Sequence, residues 1–393
     1  MLAALRIRAY RRFWLGSLLA NLGLWMQTIA LGWLVYDLTH AASWLGTVSF
    51  CGNAPTLVLG LVGGAIADRA SRRLVMTASL VLLAGGSIVL ALLTHAGQLT
   101  AWHVIAISML SGVATALYTP AMHSVVPSLV GQEHLLNAIS LNSVQFNLAR
   151  AVGPALAGLL YAPIGAAGCF ALNALCALGM AVVVARLHIP ARPAEAPPPI
   201  LRALREGLGY VRRHSVIGPA IFLAAVMSLF GFPYIILLPA VAHDLGLDAR
   251  GLGYLMACVG GGAVVGGLAM STLGHGAGNP RLAVRGTVAF GIVLSAFAAV
   301  DTVRATMLVL LLLGALQTVT VAAMTTTIQT VVHDGMRGRV MSMVMVIFFG
   351  FSTLGSLIVG IIGDHLTVPW ALASGGVVTA AVAVVLARSR TFT

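Results

Sequence analysis

Arg150 is the residue whose position most needs a chemical explanation. It stands about twelve residues into an apolar run, so at about 1.5 Å of rise per residue it lies near the middle of a membrane-length helix. A guanidinium there costs at least about 2.5 kcal/mol on insertion scales, so it must face a protein interior and find acceptors. No acid lies at comparable depth: Asp37 closes the first apolar run on one side, and Asp68, Glu133 and Asp334 belong to the other. The acceptors that remain are carbonyls, water, the amides Asn142, Gln145 and Asn147, or an anionic substrate. A tie between helices that never touches substrate is the alternative use of such an arginine. Asn21, Trp25, Gln27, Tyr118, Tyr234, Gln317 and Phe348 also fall within apolar runs, and buried amides are costly in hydrocarbon unless paired, so these residues outline a candidate substrate cavity.

A second constellation is Gly64-Ala-Ile-Ala-Asp68-Arg69-Ala-Ser-Arg72-Arg73, small residues followed by one acid and three arginines. Set between two apolar runs, it must be a tight polar loop joining two membrane helices. Neither group is built for covalent chemistry. The chain has no paired carboxylates within its apolar spans, no His-Glu metal motif and no Gly-x-x-x-x-Gly-Lys-Ser/Thr phosphate cradle. The reading is a binding protein for a small molecule, not an enzyme, with no cofactor and no metal. Among carboxylates, Asp37 is the best placed to carry a proton.

The elements that hold these residues follow from composition. Of 393 residues, 59% are hydrophobic and 8% charged, too apolar a surface to hide inside a water-soluble globule, so the solvent is a lipid bilayer. All 22 basic residues are arginine, and the net charge of +12 raises the question of a nucleic-acid partner. Their placement answers it: they gather at helix ends on one side, as the positive-inside rule requires. The four cysteines fall in apolar runs at spacings that suit no metal site, and no disulfide is expected. Arg6 to Arg12 precede a run from Phe13 to Tyr36 that is too long for a secretory signal core and sufficient for a first membrane helix.

Counting runs of about 20 residues predicts twelve helices, at 13–36, 44–67, 74–94, 101–124, 138–161, 166–187, 216–240, 251–273, 282–300, 305–328, 339–363 and 368–387. Alternating the loops leaves only Arg250 and Arg304 on the outer side and puts both termini in the cytoplasm. The fold class is all-α, with six-helix bundles at 1–189 and 216–393. Between them, 190–215 is a cytoplasmic linker, proline-rich at first and then amphipathic through Leu201, Leu204, Leu208 and Val211. A faint internal match, Leu148 to Gly158 against Gly350 to Gly360, indicates pseudo-symmetry between the bundles. Within it, Gly153-Pro154 supplies a small residue for close approach and a proline bend.

The loop from Gly64 to Arg73 resembles the signature of the major facilitator superfamily, with Ser71 in place of the usual glycine. Gly153-Pro154 resembles that superfamily's antiporter motif. The segments Asn21 to Gln27, Tyr36 to Thr39, Pro120 to His123 and Arg337-Gly-Arg339-Val-Met-Ser342 resemble the branch that contains enterobactin exporters and related bacterial efflux proteins. The resemblance implies that Asp68 accepts hydrogen bonds from the amino end of the eleventh helix, expected near Gly338 to Met341, when the cytoplasmic side is shut. It makes Gly64, Asp68, Arg69, Arg72, Arg73, Gly153, Pro154 and Arg339 candidate gating residues. It further implies an exporter of a small organic molecule in a bacterial inner membrane, driven by protons; a monomer is the expected form. An import permease of the same fold, and a membrane sensor that moves nothing, are the alternatives.

Overall fold

The computed structural model describes residues 3–69, 71–187, 209, 211, 214, 216–273 and 278–388, leaving out the side chains of 60–69 and 334. Helices fill the chain: α1 (Arg8–Thr39), α2 (Ala42–Arg69), α3 (Arg72–His95), α4 (Ala101–Val130), α5 (Leu135–Arg186), α6 (Ile217–Val226), α7 (Leu238–Asp244), α8 (Ala249–Leu273), α9 (Pro280–Ser295), α10 (Val303–Val331), α11 (Asp334–His365) and α12 (Val368–Ala387). No strand occurs among the described residues. Among the described residues, ten helical stretches are long and apolar enough to cross a membrane by length and composition. One of them, the 52-residue α5, breaks at Gly165, whose φ of 65° is one that residues with side chains rarely adopt. Each limb of α5 is itself long enough to cross, and with α2 the tally reaches the twelve crossings expected. Leu74, Leu268 and Val385 are more than three-fifths exposed, as suits a surface solvated by acyl chains rather than water.

Three expectations about helix ends need correction. The seventh span is not one helix over 216–240: α6 stops at Val226, a π-helical turn covers Met227–Gly231, a 3-10 turn covers Phe232–Ile235, and α7 resumes at Leu238. Pro233 has no N–H to donate and its ring crowds the preceding turn, which breaks the ladder. The eleventh helix begins at Asp334, because the His333 ring nitrogen accepts from the Gly335 amide at 3.4 Å. Gly338 to Met341 are therefore inside the helix and not its amino end. The ninth span tightens into a 3-10 turn at Ala296–Ala299. The linker lies outside the described residues except Gly209, Val211 and His214; of its apolar face, Val211 is buried with Ile217, Ile221, Ile328 and Val344.

The chain forms two compact units. The first comprises Met1–Thr39, Cys51–Ala196 and Ala249–Gly253. Its core gathers Tyr10, Phe13, Met76, Leu80, Val125, Leu141, Met180 and Val184 from α1, α3, α4 and both limbs of α5. The second comprises His40–Phe50, Pro197–Asp248 and Tyr254–Thr393. In it α8 and α10 pack backbone to backbone: a Cβ on Gly262 would strike the Leu311 carbonyl oxygen, and one on Gly314 that of Val259. Small residues replace hydrophobic contrast as the means of holding helices together, since lipid tails are as apolar as the side chains they would compete with.

Candidate functional site

In the first unit, α1 and the first limb of α5 run parallel in a register set by polar contacts. The Ala4 amide donates to Asn137 Oδ1 at 2.9 Å, the Tyr10 hydroxyl lies 2.9 Å from both the Ala138 carbonyl and Asn142 Oδ1, and Trp14 Nε1 donates to the Leu141 carbonyl at 3.0 Å. Further along, Gly153 makes room for Trp25, whose Cβ lies 2.5 Å from where a Cβ on Gly153 would be. This register sets Asn21 level with Arg150.

Along α5, Ser140, Ser143, Asn147 and Arg150 recur three or four residues apart and so share one face. The first three are exposed and Arg150 is half-buried. The stripe ends at Pro154 and Gly158, both buried, where the amino-terminal turn of α8 closes on it: a Cβ on Gly158 would come 3.1 Å from Gly253 Cα. Arg150 makes no hydrogen bond or ion pair with any described residue. Asn147 Nδ2 donates to the Ser143 carbonyl at 2.8 Å, which leaves its amide oxygen available. Gln145 is 3% exposed, and its Nε2 has no partner among the described residues.

The structure divides the sequence-derived candidates by use. Asn142 is engaged with Tyr10. Gln27 lies two residues beyond Trp25, about 200° around α1, and so points elsewhere. Its Oε1 accepts from Ser87 Oγ at 2.7 Å and from Asn173 Nδ2 at 2.8 Å, and Asn173 also donates to Ser87 at 3.0 Å. This triad ties α1, α3 and the second limb of α5. Ser87 and Asn173 were not singled out from sequence, although each is an isolated polar residue in an apolar run. Replacing Asn173 by leucine should lower stability by about 1 kcal/mol, the usual worth of such a bond between membrane helices; a melting curve of the purified protein in detergent checks it. Asn21 and Tyr118, both half-buried, have no hydrogen bond to a described residue. With Trp25, Asn147 and Arg150 they remain candidate ligand contacts of this unit.

In the second unit, Tyr234 and Gln317 are brought together: the buried hydroxyl donates to Gln317 Oε1 at 3.1 Å while its ring meets Phe290 edge-on, centroids 6.1 Å apart. Phe348 stacks on Phe232 at 5.8 Å, nearly parallel. The π-turn that carries Ser228 and the 3-10 turn that carries Tyr234 thus aim side chains a regular helix would send elsewhere. Ser228 Oγ and Thr320 Oγ1 are buried with no partner among the described residues. Among the gating candidates, the side chains of Gly64, Asp68 and Arg69 lie outside the described residues. Arg72 is half-buried and Arg73 exposed at the start of α3; Arg339 reaches Met336 Sδ at 3.6 Å; Asp37 is exposed in the last turn of α1.

Comparison with known proteins bears on this arrangement. The family model described as "Transmembrane secretion effector" matches residues 1–392. The staphyloferrin A transporter of Staphylococcus aureus is 27% identical over 361 residues, covering 90% of this chain and 89% of that protein. The enterobactin exporter of Shigella boydii is 26% identical over 374 residues, covering 93% and 88%. A macrolide efflux protein of Streptococcus pyogenes is 24% identical over 234 residues, covering 59% and 58%. Among solved structures, a bacterial homologue of the lysosomal transporter Spinster superposes with a TM-score of 0.78 at 12% identity, over 98% of this chain and 97% of that one. A D-xylose–proton symporter does so with 0.73 at 14%, over 96% and 97%.

Proposed function

The chain belongs to the transmembrane secretion effectors of the major facilitator superfamily, and from that premise we propose that it exports a small organic molecule, siderophore-like or drug-like, from the cytoplasm by alternating access. It is a multi-pass membrane transporter of small molecules and not an enzyme. The relatives named as exporters or efflux proteins support the outward direction.

The observation that carries the reading is Arg150, a mid-span cation with no bond to a described residue, on the stripe of α5 that also carries Ser140, Ser143 and Asn147. A carboxylate, phenolate or hydroxamate on the cargo is the acceptor it lacks, and Asn21, Trp25, Tyr118 and Asn147 line its approaches. Gln145 supplies a further donor. Tyr234, Gln317 and Phe348 contribute from the second unit, while Gln27 and Asn142 keep helices in register. The inner face is gated by the loop Gly64, Asp68, Arg69, Arg72 and Arg73 together with Arg339, and Gly153-Pro154 is the hinge. Asp37 takes up the driving proton. The six-helix domains 1–189 and 216–393, the linker between them, cytoplasmic termini, a bacterial inner membrane and a monomer complete the proposal.

Everted vesicles carrying the protein test direction and coupling together. With radiolabelled staphyloferrin A, enterobactin and erythromycin as the panel, an acid-inside gradient should drive accumulation of at least one, and a protonophore should abolish it. Accumulation only in right-side-out vesicles would make the protein an importer, and accumulation that survives the protonophore would remove the proton.

A further inference from the structure

Helix α2 starts without a cap of its own. The residue before it is Ala41, which has no side-chain acceptor for the free amides of the first turn. The acceptor comes from 322 residues away: Asp364 Oδ1 takes the Ala42 amide at 2.6 Å, and both carboxylate oxygens lie 3.2 Å from the Ser43 amide. These residues all belong to the second unit. Below the carboxylate the two helices touch backbone to backbone. A Cβ on Gly46 would strike the Ser356 carbonyl oxygen, and one on Gly360 would come 2.8 Å from the Ala42 oxygen and 3.2 Å from Gly46 Cα.

The last turns of α2 and α11 share a pattern. Gly64-Ala-Ile-Ala-Asp68 ends one and Gly360-Ile-Ile-Gly-Asp364 ends the other, each a glycine and an acid four apart. Both helices are long, 28 and 32 residues, and each ends in a carboxylate suited to the positive end of another helix. We infer that Asp364 is an outer gate latch, which holds the outer ends of α2 and α11 shut by capping α2, and that it works in opposition to Asp68 at the inner end. When rigid rods rock against each other, opening one end closes the other, so the two acids act on a single equilibrium from opposite sides. The inference rests on the alternating-access reading above.

Hydrogen–deuterium exchange on the purified full-length protein tests it without cargo. Asp364→Ala should speed exchange over residues 42–50 by about three- to tenfold, the scale of a lost charge at a helix terminus. It should also slow exchange at the distant inner end, over 334–341. Gly46→Ala, which wedges the same contact apart and leaves the acid in place, should do the same should the first variant not fold. Asp68→Ala should move both segments in the opposite sense. If Asp364→Ala and Gly46→Ala speed exchange only beside α2 while Asp68→Ala still moves both ends, Asp364 is a local cap and the inference is wrong. If no variant moves the end remote from it, the alternating-access reading itself fails.

Discussion

Replacing Arg150 by alanine should lower transport by about ten- to a hundredfold and leave the amount of protein in the membrane unchanged. The magnitude follows from the net worth of a hydrogen bond to a charged group, about 1.5–3 kcal/mol, and from a guanidinium only half-buried, which keeps the loss in that range. The unchanged membrane level follows from the absence of any hydrogen bond or ion pair between Arg150 and the described residues. Nothing in the fold is left unpaired when the side chain goes, and removing a mid-span cation relieves an insertion cost. A structural arginine predicts the reverse, with less protein in the membrane and normal export per molecule. Arg150→Lys separates charge from geometry: lysine keeps the cation but cannot present two parallel N–H groups to one carboxylate, so it should recover part of the activity. Export per immunoblotted molecule, measured for the three forms, decides between the roles.

The second large effect concerns two adjacent glycines of α8 with opposite fates. Gly262→Val should destabilise the protein by about 3 kcal/mol or more and remove most of it from the membrane, whereas Gly261→Val should change stability by under about 0.5 kcal/mol. A Cβ on Gly262 meets the Leu311 carbonyl oxygen and lies 3.0 Å from the Ala315 nitrogen, all backbone that cannot step aside. A Cβ on Gly261 meets nothing within 4 Å. The sequence Gly260-Gly261-Gly262 offers no way to tell them apart. Thermal melts of the two variants in detergent, beside membrane yield, test the contrast; equal tolerance would mean that α8 and α10 do not approach as closely as described.

Length, hydropathy and the placement of arginine by themselves determined the all-helical membrane fold, the twelve crossings and the membership suggested by the loop from Gly64 to Arg73. The reason is that a bilayer imposes one dominant constraint, about 20 apolar residues per crossing with charge at the ends, and that constraint acts locally along the chain. Mid-span polar residues were visible for the same reason, so Arg150 and the amides could be named. Their uses could not. Gln27 and Trp25 are two residues apart in one motif, yet one is consumed by Ser87 and Asn173 while the other packs on Gly153. Tyr234 reaches Gln317 only because the span from 216 to 240 breaks at its π- and 3-10 turns, where Pro233 denies the ladder a donor. Nothing in the sequence near Asp364 marks it as a cap, because the helix start that it caps, at Ala42, lies 322 residues earlier in the chain. Which face a residue turns to which neighbour depends on helix rotation and on contacts between remote segments, and these exist only once the helices have packed.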